Sequence, residues 1–241
     1  MSPTTATLGH MAIVLLVRHG RSSANTSGIL AGRLPDVHLD DTGREQVART
    51  GERLAAVPVV EVVSSPLERC RETAEAIVGH HDLTLTLDEA ITECGYGDWQ
   101  GRPLKELADE DLWKTVQSQP SAVTFPGGES LMAMQARAVT AIRAHDARIE
   151  AAHGPSAVWV AVSHGDVIKS LLADAAGMHL DLFQRLHVDP ASVSIVRYAP
   201  QRPTLVAVNT HAGDLAWLRG PEPGGDAPVG GGAGPGAQRD V

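Results

Sequence analysis

The chain has 241 residues, and its 20 Lys and Arg against 29 Asp and Glu give a formal net charge of −9. At roughly 150 residues per domain, this length allows one large domain or two small ones. An acidic chain without Lys/Arg runs suits neither nucleic acid nor an anionic membrane surface, so we expect neither as a partner. Two cysteines, Cys70 and Cys94, provide neither a disulfide framework nor a four-ligand zinc site.

The two ends of the chain contain few residues that a fold could bury. Residues 1–11 have no basic segment and too few apolar residues for a signal peptide. The longest apolar run, 11–17, is far shorter than the roughly 20 residues of a membrane span, so we expect a cytoplasmic protein. We interpret residues 1–10 as a loose arm and residues 220–241, with 8 Gly and 4 Pro, as a disordered tail. This leaves a single domain over 11–219.

Between these ends, apolar runs alternate with amphipathic stretches. The patterns predict, in chain order, a strand at 13–17, a helix from Asp40 or Asp41 to 55, a strand at 60–64, a helix from Ser65-Pro66 to 78 and a weak strand at 83–87. They then predict a short helix near 103–107, a long helix over 129–152, a strand at 157–162, a helix over 166–176 and strands near 192–198 and 205–208. Unbroken apolar strands that alternate with helices indicate an α/β fold, a three-layer α/β/α sandwich around a mostly parallel, mixed sheet.

Three of the predicted strands are followed by polar or charged residues. The first strand leads into Arg18 and His19, the second into Ser65 and Arg69, and the fourth into His164. In sheets of this kind, ligands bind beyond the carboxyl ends of the strands. We therefore expect these side chains to meet at one edge of the sheet.

Five segments occur along the chain in the order of a known set of family motifs. They are RHGRSSAN at 18–25, LDDTGREQ at 39–46, SSPLERCRETA at 64–74, ECGYGDWQG at 93–101 and VSHG at 162–165. With these segments the chain resembles the histidine phosphatase superfamily, in its phosphoglycerate-mutase-like branch, over about residues 12–210. The resemblance implies a phosphoglycerate-mutase-like catalytic domain at 11–219.

The resemblance also implies a role for each polar residue of the site. A neutral imidazole can attack phosphorus, and paired arginines can neutralise a phosphoryl group without a metal ion or a cofactor. His19 would be the nucleophile, Glu93 the proton donor to the leaving alkoxide, and His164 a second donor to the phosphoryl oxygens. The residues that would bind the phosphate are Arg18, Arg69, Ser22 and Asn25.

The function that we expect is metal-independent hydrolysis of a small phosphorylated metabolite through a phosphohistidine on His19. One alternative is a phosphomutase of the phosphoglycerate mutase type, in which a long insertion after the glutamate motif encloses the substrate. Here Glu93 leads through Gly101 directly into a short predicted helix, and the tail is a poor lid, which favours hydrolysis. A second alternative is a non-catalytic module that binds phosphorylated ligands, although both His19 and Glu93 are present. The oligomeric state is open, and a homodimer is one possibility.

Several residues near the motifs allow two interpretations. Arg21, Arg33 and Arg102 either line the mouth of the pocket and favour a second anionic group, or are exposed charges. Arg21 and Gln100 also depart from the residues that are usual in the family, which affects the substrate more than the chemistry.

Other residues of the motifs are expected to have structural roles. Tyr96 and Trp99 pack beneath their loop, and Cys70 and Cys94 are small buried fillers rather than redox-sensitive thiols. The remaining histidines show no spacing that suits a metal site.

Overall fold

A six-stranded sheet forms the centre of the fold in the computed structural model, which describes residues 12–199, 201–211 and Gly230. Its strands are β1 (Ile13–Arg18), β2 (Val59–Ser64), β3 (Leu85–Leu87), β4 (Val158–Ser163), β5 (Val193–Tyr198) and β6 (Pro203–Thr210). Their order is β3-β2-β4-β1-β5-β6; the first four are parallel, β5 is antiparallel to β1, and β6 is antiparallel to β5. The predicted α/β class with a mostly parallel, mixed sheet is confirmed.

Helices cover both faces of this sheet. They are α1 (Ser23–Ser27), α2 (Asp41–Leu54), α3 (Glu68–Val78), α4 (Leu104–Leu107), α5 (Asp111–Ser118), α6 (Leu131–His153) and α7 (Gly165–Ala175). Successive residues of a strand point to opposite faces, so β1 contributes to two cores. Val14 and Leu16 lie in the core that contains residues of α6 and α7, whereas Leu15 and Val17 lie in the core that contains residues of α3. The result is the predicted three-layer sandwich.

The structure corrects some predicted boundaries. The helix expected to open at Ser65-Pro66 begins only at Glu68, because Leu67 keeps an extended backbone with φ −67° and ψ 141°. The Ser65 hydroxyl bonds to other side chains at the edge of the sheet instead of capping that helix. The weak third strand is shorter than predicted, and α1 and α5 were not predicted.

The predicted arm at 1–10 and tail at 220–241 lie outside the described residues, with Gly230 as the exception. The described chain begins at Ala12, a buried residue that leads directly into β1. Within the described ranges, no helix is long and apolar enough to cross a membrane.

Two glycines allow α2 to pack tightly against the segment that follows β1. A Cβ atom on Gly43 would lie 1.9 Å from the carbonyl oxygen of Arg21, and one on Gly20 would lie 2.7 Å from the carbonyl oxygen of Gly43. Asp40, the N-cap of α2, adds to this contact: its side chain accepts from the Gly43 N–H, and its own N–H donates to the Arg21 carbonyl. The second motif therefore fixes the chain next to His19.

Replacing Gly43 by alanine should destabilise the protein by about 1–3 kcal/mol, because the added methyl group displaces the backbone of α2 or its neighbour. Gly79 is the matched control: it follows α3 in a helical conformation, and its Cβ would be no closer than 3.4 Å to other atoms. Gly79→Ala should be neutral or stabilising by up to about 1 kcal/mol. Urea unfolding followed by circular dichroism measures both, and equal effects would contradict the tight contact.

Candidate active site

The carboxyl ends of β1, β2 and β4 lie side by side, as the sequence predicted. Arg18 at the end of β1 is in register with Ser163 at the end of β4, and Ser64 of β2 pairs with Val162 of β4. The N–H of His19 then donates to the Ser163 carbonyl at 3.0 Å. These pairings bring the residues that follow three neighbouring parallel strands to one edge of the sheet.

The backbone fixes the tautomer of His19. Its Nδ1 lies 2.7 Å from the Gly20 carbonyl oxygen, which can only accept, so Nδ1 carries the proton and Nε2 keeps its lone pair. Burial, together with the charges of Arg69 and Arg18, holds the pKa of His19 well below its usual range. The imidazole is therefore neutral at physiological pH, and this is the state in which Nε2 is a nucleophile.

The buried guanidinium of Arg69 lies beside the second histidine of the site. Its Nη2 donates to the Gly32 carbonyl at 2.8 Å and to Nδ1 of His164 at 3.2 Å. Its Nη1 is buried and has no hydrogen-bond acceptor among the described residues. A buried donor without an acceptor is costly, and more so on a charged group. An anionic ligand that enters the site would supply the missing acceptor.

His164 packs between Arg69 and a pair of hydroxyl groups. Because arginine only donates, the Nδ1 that meets Arg69 carries no proton, and Nε2–H donates to the Ser65 hydroxyl at 2.8 Å. The Ser65 oxygen lies 3.2 Å from the Thr92 hydroxyl. Burial and the charge of Arg69 lower the pKa of His164, so this ring is also neutral. It meets His19 edge to face, with ring centroids 5.3 Å apart.

Glu93 contributes a buried carboxyl group. Its Oε1 accepts the N–H of Cys94 at 2.9 Å, and its Oε2 lies 3.9 Å from Nδ1 of His164. Burial, and then the negative charge of Asp166, raise the pKa of Glu93 to about 7. At neutral pH a substantial fraction of Glu93 therefore holds a proton that it can donate.

The other three predicted phosphate-binding residues are held in place by hydrogen bonds. Arg18 is buried at the end of β1, where its Nη1 donates to the Val188 carbonyl at 2.8 Å. Ser22 is the N-cap of α1 and forms a reciprocal capping box with Asn25: its Oγ accepts the N–H of Asn25, whose Oδ1 accepts the N–H of Ser22. The capping box fixes both side chains at the start of α1.

A pocket of about 430 Å³, a volume that includes its open mouth, lies at this edge of the sheet. Five of the seven predicted site residues line it, namely His19, Ser22, Asn25, Arg69 and Glu93. Arg18 and His164 are not part of the lining, and His164 touches it through Arg69. The remaining lining residues are Ala24, Ile29, Leu30, Ala31, Gly32, Tyr96, Leu104 and Gly230. The sequence therefore predicted the polar part of the pocket but not its other wall.

Asp166 is a residue of the site that sequence reasoning missed. It accepts the hydroxyl of Tyr96 at 2.9 Å and the N–H of Gly230 at 2.9 Å, and its other oxygen is 2.8 Å from Nζ of Lys169. Both Asp166 and Lys169 are buried. Their i, i+3 spacing in a largely apolar helix was the signal that could have identified them. Tyr96 packs against Phe125 as predicted, and it also connects the pocket wall to Asp166.

Three arginines were predicted either to line the mouth of the pocket or to be exposed charges, and all three form ion pairs. Arg21, Arg33 and Arg102 each lie 2.7 Å from a carboxylate oxygen, of Asp40, Glu129 and Glu110 respectively. None of the three lines the pocket. The structure therefore favours charges that are satisfied outside the pocket over cations at its mouth.

The two cysteines are free and buried. Burial raises the pKa of the Cys70 thiol to about 12 and raises that of Cys94 as well. Since the thiolate is the reactive form, both residues fit the role of small fillers.

Trp99 stacks on Trp113, in agreement with its predicted packing role. Within the described ranges, no group of three or more His, Cys, Asp or Glu side chains is placed to hold a metal ion.

The charge of Asp166 should control the proton on Glu93. Asp166→Asn removes a negative charge and should lower the pKa of Glu93 from about 7. A pH titration by difference infrared spectroscopy measures the shift, with Glu93→Gln to identify the signal. Because Asp166→Asn leaves Lys169 buried without its partner, the double variant Asp166→Asn/Lys169→Met provides a second protein in which that cation is also removed. If the pKa of Glu93 is unchanged in both folded variants, the charge of Asp166 does not affect it, and the prediction is wrong.

Comparison with known proteins identifies the same family that the five motifs resemble. The family model of the histidine phosphatase superfamily (branch 1) matches residues 14–211. Phosphoglycerate mutase-like protein 4 of Arabidopsis thaliana is 36% identical over 165 residues, which cover 66% of this chain and 69% of that protein. Phosphoserine phosphatase 1 of Hydrogenobacter thermophilus is 28% identical over 210 residues, which cover 85% of this chain and 96% of that protein.

Solved structures show the same likeness. A mycobacterial glucosyl-3-phosphoglycerate phosphatase in complex with VO3 matches with a TM-score of 0.75 and 25% identity, covering 82% of this chain and 99% of that one. The family match at 14–211 includes all five motifs and nearly all of the described sheet. The chain belongs to the histidine phosphatase superfamily.

Proposed function

We propose that this protein hydrolyses phosphomonoesters without a metal ion, through a phosphohistidine formed on Nε2 of His19. The observation that carries the proposal is the buried Nη1 of Arg69, which has no acceptor among the described residues, close to an imidazole with an unprotonated Nε2. A phosphoryl group bound there would satisfy the donor and bring phosphorus to the nucleophile. The phosphatases among the relatives support the same reaction class.

In the first half of the reaction, the Nε2 lone pair of His19 attacks phosphorus while the P–O bond to the alcohol breaks. Glu93 in its acid form gives its proton to the departing oxygen and becomes a carboxylate. Its pKa of about 7 keeps the acid form populated at neutral pH. The products are the free alcohol and a phosphohistidine.

In the second half, the oxygen of a water molecule attacks phosphorus while the N–P bond breaks. The Glu93 carboxylate takes a proton from that water, and the electron pair of the N–P bond returns to Nε2 of His19. Inorganic phosphate leaves, and both residues are back in their starting states. A carboxyl group with a pKa near the working pH suits both proton transfers.

Arg69 and Arg18 supply the positive charge that balances the phosphoryl group, which is the part that a metal ion takes in other phosphatases. His164 would donate to a phosphoryl oxygen through Nδ1, and its proton must then be on that nitrogen. The Ser65 hydroxyl permits this change because it can accept from Nε2–H or donate to a bare Nε2.

Loss of the acid should depend on the leaving group. Glu93→Gln cannot deliver a proton, so turnover of an alkyl phosphate should fall by about 10²–10⁴-fold. Turnover of p-nitrophenyl phosphate, whose phenolate leaves without a proton, should fall by less than about tenfold. In the wild type, kcat/KM for the alkyl ester should decrease as the pH rises through about 7, because the acid form of Glu93 is lost. Equal losses on both substrates would argue against Glu93 as the acid.

The mutase alternative uses the same residues to bind and transfer the phosphoryl group. It differs from the phosphatase in the molecule that reacts with the phosphohistidine, which is the reoriented substrate instead of water. A mutase keeps water away until its substrate has reoriented. Here the chain passes from Glu93 through a 3₁₀ turn at Gly97–Trp99 to α4, without a long insertion to enclose the pocket. Water that reaches the phosphohistidine favours hydrolysis.

In the presence of EDTA, simple phosphomonoesters should release phosphate over many turnovers, because arginines hold the phosphoryl group. 3-Phosphoglycerate with catalytic 2,3-bisphosphoglycerate should give little 2-phosphoglycerate. Phosphorus NMR follows both reactions. Isomerisation faster than phosphate release by about a hundredfold would overturn the phosphatase assignment. Inactivation by EDTA that Mg²⁺ or Zn²⁺ reverses would overturn the metal-free mechanism.

We propose a small phosphorylated metabolite as substrate, because relatives of this chain include a phosphoserine phosphatase and a glucosyl-3-phosphoglycerate phosphatase. A cytoplasmic location and a homodimer stay predictions from the sequence.

A further inference from the structure

The part of the pocket wall that the phosphoryl chemistry does not use is largely apolar. The apolar residues that line it are Ala24, Ile29, Leu30, Ala31 and Leu104. Tyr96 also lines the pocket, and its hydroxyl donates to Asp166. Ser22 and Asn25, which are predicted to bind the phosphate, border this wall, and the Ser22 hydroxyl donates to Oδ1 of Asn25 at 2.9 Å. The side chains of this wall therefore offer mainly carbon surface, together with the side-chain amide of Asn25.

The positions of the cations around this wall decide whether it could bind a second anionic group. Among the residues that the structure describes, Arg69 is the sole Arg or Lys in the lining. Arg21, Arg33 and Arg102 lie close in sequence to lining residues, and each has a carboxylate oxygen at 2.7 Å. Lys105, which follows Leu104, is exposed and does not line the pocket. Arg33 also donates through Nε to the backbone carbonyl of Glu93 at 2.8 Å, so turning it inward would disturb the proposed acid.

These two features have a consequence for the alcohol part of a substrate. A carboxylate or second phosphate against this wall would lose water without gaining a charged partner. The ionised form of Glu93 would also repel it. An uncharged alkyl group would instead gain by leaving water.

We propose that the substrate is a phosphomonoester of a small, uncharged and largely apolar alcohol, and that the wall formed by Ile29, Leu30 and Leu104 selects against a second anionic group. This inference rests on the proposed function, because it takes the phosphoryl group to bind at Arg69 beside His19.

Two esters that differ in a single negative charge give the sharpest test, 3-phosphoglycerate and its carboxyl methyl ester. The phosphoryl group and the leaving oxygen are the same in both. A difference in kcat/KM therefore reports how the pocket wall accommodates the carboxylate or its methyl ester. We expect kcat/KM for the methyl ester to be higher by about tenfold or more. A ratio below about tenfold, or a preference for the acid, would overturn the proposal.

A cation introduced into the wall should reverse part of this preference. Ile29 is partly exposed and lies outside the hydrophobic core clusters, so Ile29→Arg should fold. It should lower the ester-to-acid ratio by about threefold or more, since the carboxylate gains a partner. Leu87→Arg is the matched control, because Leu87 is an exposed residue of β3 that does not line the pocket. An equal change in both variants would show that net charge, and not the wall, sets the preference.

Failure of this inference can be told apart from failure of the proposed function. Hydrolysis of p-nitrophenyl phosphate together with a preference for 3-phosphoglycerate would leave the phosphatase in place and overturn the apolar selection. If no ester is turned over, the proposed function falls. Calorimetric binding of the two glycerate esters to His19→Ala then still tests the wall, and tighter binding of the acid would overturn the inference.

Discussion

The buried guanidinium of Arg69 is the group on which the rest of the site depends. Burial of a charge is tolerated only with partners, and Arg69 is 2% exposed. One of its nitrogens holds the Gly32 carbonyl and Nδ1 of His164, while the other lacks an acceptor among the described residues. Together with burial, its charge also keeps His19 and His164 neutral. Arg69 thus sets the tautomer of His164, contributes with burial and Arg18 to the neutral state of His19, and leaves one donor for the anionic ligand that we propose.

Motif residues that take no part in the chemistry hold the segment after β1 in place. The Gly20 N–H donates to the hydroxyl of Thr73 at 3.1 Å, and that hydroxyl donates to the Arg69 carbonyl at 2.7 Å. Gly43 lets α2 approach the same segment from its other side. The threonine on α3 and the glycine on α2 therefore fix the position of His19, which the proposed nucleophile requires within a fraction of an ångström.

Local patterns predicted the elements that are long and apolar, and general topology predicted where they meet. The run before Arg18 indicated a buried strand, and the rule for parallel sheets placed His19 near His164 without any contact being known. Helix α1 is polar and only five residues long, so it has no periodic apolar pattern from which a helix could be predicted. The partner of Arg33 lies 96 residues away in the sequence, so its ion pair with Glu129 could not be read from spacing. Ion pairs of this kind hold Arg21, Arg33 and Arg102 outside the pocket lining. The composition of the pocket wall could therefore not be predicted from the sequence.

Capture of the covalent intermediate tests the central claim most directly. The enzyme would be mixed with a labelled phosphomonoester, quenched in base within a turnover and digested, and the labelled peptide identified by mass spectrometry. We expect the phosphoryl group on His19, no label in His19→Ala, and unchanged labelling in His153→Ala, which alters an exposed histidine at the end of α6. A phosphoryl group on another residue, or phosphate release by His19→Ala within about tenfold of the wild type, would contradict the mechanism.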